Sequence, residues 1–258
     1  MAAPVTVVLL LALLGLLQPA AAQDYCQLSA CPGGSHTACK FKPGAGPAEK
    51  CSKDAVGMTD ADRDAVLSLH NKLRGELAAG QLDGFASATD MQTLKWDTEL
   101  ETVAQVWADQ CDYGHDQCRN VERFPVGQNI AMTGGSGGYT SELPKKVMMW
   151  WDEYKLYRYK DGTFVFNHDT GHFTQMAWAK TNLLGCGRST YVDKGFTNEY
   201  LVCNYGPAGN VQGQKMYTAA GHRPTTCVCL LVIAVSFLIF HITQNYSHSS
   251  HSKIGKVN

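Results

Sequence analysis

The sequence predicts an α+β fold stapled by disulfides, and three observations carry that prediction. Helical periodicity fills the earlier part of the body and strand signals come late, without the alternation of strand and helix that builds a parallel sheet. Cys26, Cys31, Cys39, Cys51, Cys111, Cys118, Cys186 and Cys203 are even in number. The chain also opens on a secretion-type apolar segment, so these thiols are expected to pair in an oxidising compartment. With 258 residues, 45% of them hydrophobic and 17% charged, the chain has room for one sizeable domain or two small ones. A formal net charge of -1 and unclustered basic residues argue against a nucleic-acid partner.

Residues 5–17 are continuously apolar and give way to Gln18, Pro19, Ala20, Ala21 and Ala22. That is the order of a signal peptide with a small-residue cleavage site, although no Lys or Arg precedes it; residues 1–22 are read so, with a buried helix as the alternative. Residues 23–57 are rich in Cys, Gly, Pro and Lys without helical or strand period, which predicts a disulfide-tied extension. The main domain is expected over 58–217. Its first helix starts at Thr59, which has capping-box spacing to Asp62, and carries Val66, Leu69, Leu73 and Leu77 on one face. Residues 80–89 have loop composition. The second helix starts at the N-cap Asp97, and its apolar stripe is Leu100, Val103, Ala104, Trp107, Ala108 and Cys111, which puts Cys111 on the buried face. A third helix covers 143–154, with Pro144 in its first turn and Val147, Trp150, Trp151 and Tyr154 facing inward. Strands are expected at 191–192 and 199–205, joined by a turn-rich 193–198. Trp107, Trp150, Trp151 and Trp178 are expected in the core rather than in a ligand box.

Residues 218–224 read as a linker. From 225 to 243 no residue carries a fixed charge, and nineteen helical residues span about 28 Å, just enough for a bilayer core. A single-pass anchor is the expectation here, although the strictly apolar stretch, 228–240, is short for one; an aberrant tail from an alternative transcript is the other reading. Cys227 and Cys229 stand at its edge, and the polar tail 244–258 that follows disfavours a lipid-anchor signal, which ends in its hydrophobic part. The sequon at Asn245 lies beyond the run and would be cytoplasmic.

Two runs combine histidine or cysteine with aromatics and glycines: GHFTQMAWAKTNLLGCG at 171–187 and YLVCNYGPAGN at 200–210. Imidazoles are common zinc ligands, but His115 and His172 are far apart in sequence, and His36, His70 and His168 are equally histidine; spacing alone selects none of them. The eight body cysteines allow 105 pairings, and spacing does not choose among those either. No C-x-x-C pair supports a zinc-finger reading. Gly134, Ser136 and Gly138 fit the G-x-S-x-G elbow of serine hydrolases, with Asp169 and His172 following in order, but the glycines around Ser136 favour a flexible loop over a strand–turn–helix.

Together the two runs resemble the paired signatures of the CAP superfamily, the cysteine-rich secretory, antigen five and pathogenesis-related proteins. The stretches GGSHTACK at 33–40, VAQVWADQCDYGHDQCR at 103–119 and VGQNIAMTG at 126–134 resemble its arthropod venom-allergen branch. The resemblance implies an α-β-α sandwich with a small antiparallel sheet between helix layers, and the disulfides Cys26–Cys39, Cys31–Cys118, Cys51–Cys111 and Cys186–Cys203. It also implies a cleft tetrad of two histidines and two acids, matched by His115, Gln128, Glu153 and His172. At Gln128 the family's acid is replaced by an amide, which carries no charge and cannot act as a general base. His115, Glu153 and His172 remain as a three-ligand set for zinc with an open position.

Family function is less uniform than family fold. The expectation is a secreted, non-enzymatic protein that binds small apolar molecules or lipids, such as fatty acids or sterols held between helices, or an extracellular protein target. The alternatives are a hydrolase, metal-dependent at His115, Glu153 and His172 or serine-dependent at Ser136, and a membrane-anchored extracellular domain.

Overall fold

The computed structural model describes residues 23–52, 57–136 and 141–221. The chain divides between Ala219 and Ala220, and the fold is that of the unit before the division. The segments read as signal peptide (1–22), anchor (225–243) and polar tail (244–258), with Cys227, Cys229 and Asn245, lie outside the described residues. Among the described residues no helix is long and apolar enough to cross a membrane.

A four-stranded sheet lies at the centre: β1 (Lys95–Trp96), β2 (Gly127–Gly135), β3 (Leu183–Asp193) and β4 (Phe196–Gly206), in the order β1-β3-β4-β2. Only the short β1–β3 pair is parallel; β3–β4 and β4–β2 are antiparallel. The helices are α1 (Thr37–Lys40), α2 (Asp60–Ala78), α3 (Thr98–Ala108), α4 (Leu143–Trp151) and α5 (Gly171–Met176). Alternation along β4 shows the layering. Tyr200 and Val202 pack with Ala104 and Ala108 of α3 on one face. Leu201, Cys203 and Tyr205 belong to the main core on the other face, with residues of α2, α4 and α5. Helices therefore cover both faces of the sheet, an α-β-α sandwich.

Glycines in the first signature run allow one of these contacts. A Cβ on Gly185 would stand 2.2 Å from the backbone nitrogen of Glu101, and one on Gly187 2.4 Å from the Cα of Gln105. The α3 backbone thus lies directly on β3 where side chains are missing. Cys186, between them, points to the opposite face and bonds Cys203, its partner in register on β4. The other disulfides join Cys26 to Cys39, Cys31 to Cys118 and Cys51 to Cys111, tying the N-terminal extension to the segment after α3.

Local signals set several ends as expected. Thr59 and Asp62 form a reciprocal capping box on α2, and Asp97 caps α3 through Leu100 N. Other expectations need correction. The extension contains α1, capped by the ring of His36, which accepts from Ala38 N. The second helix stops at Ala108 rather than carrying Cys111 on its face; Cys111 sits past the end at φ 48°, buried by its disulfide partner. The third helix is α-helical only to Trp151 and tightens into a 3-10 turn over Asp152–Lys155. The two strands run much longer than 191–192 and 199–205, and they meet in a two-residue turn. Lys194 and Gly195 both have positive φ there, as a tight hairpin with right-twisted strands requires. β2 was not expected at all: its Gly, Gln and Asn residues are poor strand formers, and pairing with β4 along its whole length holds it.

Beneath the signature run 171–187 lies Arg74 of α2, fully buried. Its guanidinium donates to the carbonyls of Met176 (2.7 Å), Trp178 (2.8 Å), Thr181 (2.9 Å) and Gln92 (2.5 Å). Burial pushes its pKa down to about 10. The run wraps a cation that fixes its carbonyls and has no carboxylate partner among the described residues.

Candidate functional site

The expected site residues come from four elements. His115 follows the Cys111 turn, Gln128 stands near the start of β2, Glu153 sits on the 3-10 turn after α4, and His172 lies at the start of α5. They form two hydrogen-bonded pairs. His115 Nδ1 lies 2.8 Å from Gln128 Oε1, and His172 Nδ1 lies 2.6 Å from Glu153 Oε1.

The orientation of the Gln128 amide follows from its neighbours. Its nitrogen donates to Asp116 Oδ1 and to Asn204 Oδ1, each at 3.1 Å. The carbonyl oxygen is therefore the atom that faces His115, and the His115 Nδ1–H is the donor. Asp116 is buried, hydrogen-bonded to Thr37 of α1 and paired with Arg119. The negative charge that Gln128 lacks is thus present one residue further back, neutralised by Arg119. His115 remains accessible from the cleft, but protein packed around its inner edge holds its pKa below the ordinary value. The Gln128 hydrogen bond opposes that shift, while the charges of Arg119 and His172 reinforce it.

Glu153 is more fully engaged. Besides the His172 ring, it accepts from the backbone nitrogens of His172 (2.9 Å) and Phe173 (3.1 Å), capping the open amides of α5. Trp150 lies 6.1 Å from the His172 ring in a near-parallel arrangement. Asn129 donates to the His172 carbonyl (3.1 Å) and to the Tyr205 hydroxyl (3.2 Å). The Tyr205 hydroxyl meets His70 Nε2 at 2.9 Å, and His70 Nδ1–H donates to Val66 O at 2.8 Å. A buried polar chain thus runs from α2 to the backbone of the site histidine.

His115, Gln128 and His172 line one cleft of about 410 Å³, together with Arg119, Gln175 and Asn210; Glu153 does not line it. The three-ligand set His115, Glu153 and His172 is not assembled. Glu153 stands behind His172 with both oxygens spent, and among the described residues no group of three His, Cys, Asp or Glu side chains is placed to hold a metal ion. What the site does present is two imidazoles, each hydrogen-bonded through Nδ1, with no partner for Nε2 among the described residues.

The serine triad is not formed either. Ser136 lies exposed just past the end of β2, eight residues from Gln128, or about 27 Å along an extended strand. The His172 Nδ1 pairs with Glu153, not with Asp169. Asp116, Arg119, Asn129 and Asn204 were not anticipated from sequence. The available signal was that Asp116 adjoins His115 in CDYGHDQC and Asn204 adjoins Cys203.

The cleft adjoins a second one of about 730 Å³. Phe166 and His168 line both. The second cleft is bordered by Leu156, Val165 and Phe166, all exposed, and by Arg158 and Lys160.

The model of the CAP, or cysteine-rich secretory protein, family matches residues 67–205. The chain belongs to this family. It is 41% identical over 215 residues to venom allergen 3 homolog of Dinoponera quadriceps, covering 79% of this chain and 93% of the relative. It is 43% identical over 202 residues to venom allergen 5 of Vespa mandarinia, covering 75% and 98%. Among solved structures it resembles BmVAL-1 (TM-score 0.55, 31% identity, 63% of this chain and 84% of that one). It also resembles NaASP2 solved with Zn2+ (TM-score 0.51, 29% identity, 68% and 90%). This CAP chain is thus of the venom-allergen type, and the His115–Gln128 pair lies in the matched region of the family.

Proposed function

We propose that this CAP protein is secreted and acts by binding an amphiphilic small molecule of the fatty-acid or sterol class, without turning it over. The observation that carries the reading is that Phe166 and His168 line both clefts, one bordered by the exposed Leu156, Val165 and Phe166 among polar residues and the other by His115 and His172; the two are read as one trough. An apolar body packs against Leu156, Val165 and Phe166, while a carboxylate or hydroxyl reaches His115, Arg119 and His172. Helices α2 and α4 pack against each other in one core, which favours this surface over the space between helices as the ligand's seat. Gln128 supplies hydrogen bonding but no general base. The apolar start of the chain and the venom-allergen relatives support secretion.

The test is native mass spectrometry of the secreted protein, followed by displacement of a fluorescent fatty-acid analogue. Copurifying lipid is expected, as is a loss of probe affinity of about tenfold or more in Phe166→Asp, since burying one large apolar side chain is worth about 1.5–3 kcal/mol. No copurifying lipid together with no uptake of added fatty acid or sterol overturns the reading.

A second reading is favoured by the tautomers of His115 and His172. Imidazoles held by an acceptor at Nδ1 present Nε2 as zinc ligands do, and the similar NaASP2 was solved with Zn2+. The two rings would hold zinc with water completing the shell, and bound zinc would polarise a carbonyl or activate that water. Calorimetry with zinc is expected to show one weak site that vanishes in His172→Ala; unchanged binding in that variant refutes it.

A further inference from the structure

The segment after α4 turns its tyrosines inward and the residues between them outward. Tyr154, Tyr157 and Tyr159 pack around Phe85, with ring centroids 6.3, 6.0 and 5.3 Å away, and Tyr159 stacks on Tyr217 at 5.7 Å. Lys155, Leu156, Arg158 and Lys160 face solvent. The returning segment adds Val165 and Phe166. Leu156, Val165 and Phe166 are 62%, 64% and 58% exposed, and all three border the same cleft as Arg158 and Lys160, so they are neighbours in space. Clustered exposed apolar side chains mark an interaction site.

The charges around them indicate the partner. Lys155 is paired with Asp152 at 2.9 Å. Asp161 is turned back onto the backbone and hydroxyl of Thr163 (3.0 and 3.1 Å), and Asp169 is exposed nearby. Arg158 and Lys160 have no ion-pair partner among the described residues. A rim of aliphatic and aromatic tips flanked by cations on long stems suits a lipid surface, where the tips enter the headgroup–acyl boundary and the cations pair with phosphates.

We propose that the rim formed by Leu156, Arg158, Lys160, Val165 and Phe166 docks onto an anionic lipid surface. The tyrosines packed on Phe85 anchor the base of the rim. The inference goes beyond the ligand-binding reading and does not need it, although a trough opening at this rim would receive an amphiphile directly from the bilayer.

The test is flotation of the full secreted chain with vesicles of phosphatidylcholine alone or with about one third phosphatidylserine. Hydrogen exchange of residues 155–168 is followed in parallel. Wild type is expected to prefer the phosphatidylserine vesicles, to lose that preference in high salt, and to show slowed exchange in 155–168. Arg158→Glu/Lys160→Glu is expected to lower binding to those vesicles about tenfold or more, and Leu156→Asp/Phe166→Asp to remove the exchange protection. All four positions are exposed, so unchanged thermal melts certify folding. Binding that is equal in wild type and both variants, binding with protection only elsewhere in the chain, or no binding at all overturns the proposal. Short-chain phosphatidylserine below its micelle concentration separates the two readings: protection by the monomer equal to that by vesicles assigns the effect to the trough and also overturns docking.

Discussion

Acid should unfold this protein through a histidine far from solvent. His70 is fully buried on α2, donating through Nδ1 to Val66 O and meeting the Tyr205 hydroxyl at Nε2. Desolvation, reinforced by the charge of Arg74, lowers its pKa to about 4, while the Val66 hydrogen bond opposes the shift. The unfolded chain protonates this imidazole near 6.5, so the folded state has the lower affinity for the proton. Stability from neutral His70 is fully present above pH 6.5 and is lost as pH falls from 6.5 toward 4, at about 1.4 kcal/mol per pH unit. The total is about 3 kcal/mol, a large share of a typical domain's stability. Protonation would also set an N–H against the Tyr205 hydroxyl proton and disturb Asn129, which holds the His172 carbonyl. Urea midpoints of wild type and His70→Gln, taken from pH 7 to 4.5, measure the effect. The variant should be less stable at pH 7 but should lose about 2 kcal/mol less than wild type between pH 6 and 4.5. His36 and His115 titrate in both proteins and cancel in the difference. Parallel pH curves would refute the assignment of acid sensitivity to His70.

Arg74→Met should destabilise the fold by about 4 kcal/mol, because buried carbonyls of the 176–181 segment lose their donors at roughly 1–3 kcal/mol each; a urea midpoint within about 0.5 kcal/mol of wild type would contradict the role given to the guanidinium. Arg74→Lys should recover only part of the loss, since one ammonium cannot serve carbonyls spread around a planar fork. Cys51→Ser should leave Cys111 open to alkylation and, with the two cysteines 60 positions apart in sequence, lower stability by about 4 kcal/mol in the chain-entropy model. Mass mapping that finds Cys111 fully protected in that variant would sink the pairing.

How far residues speak for themselves differs along this chain. Thr59–Asp62 and Asp97 fix helix starts because a cap is a contact within a few residues, and the stripes of α2, α3 and α4 follow from helical period. β2 was illegible because nothing local favours Gly-Gln-Asn in a strand; its hydrogen bonds come from β4, some seventy residues later in the chain. Cys111 was misplaced for a related reason: its φ of 48° answers to Cys51, outside the helical window in which it was read. At the site, resemblance named His115, Gln128, Glu153 and His172, but not which would face solvent. Glu153 looks like a ligand in sequence because a carboxylate is a good one. In the fold its oxygens are taken by the start of α5 and the His172 ring.

The signature runs, the cysteine set and the family they announce are properties of the sequence alone, since each is a local pattern of residue types. Which groups share a cleft is a property of the tertiary structure. The site cleft exists because segments distant in sequence close around it, and the amide of Gln128 points its oxygen at His115 only because Asp116 and Asn204 claim its nitrogen. Hydrogen bonds between residues far apart in sequence choose the tautomers, and no local pattern encodes that choice.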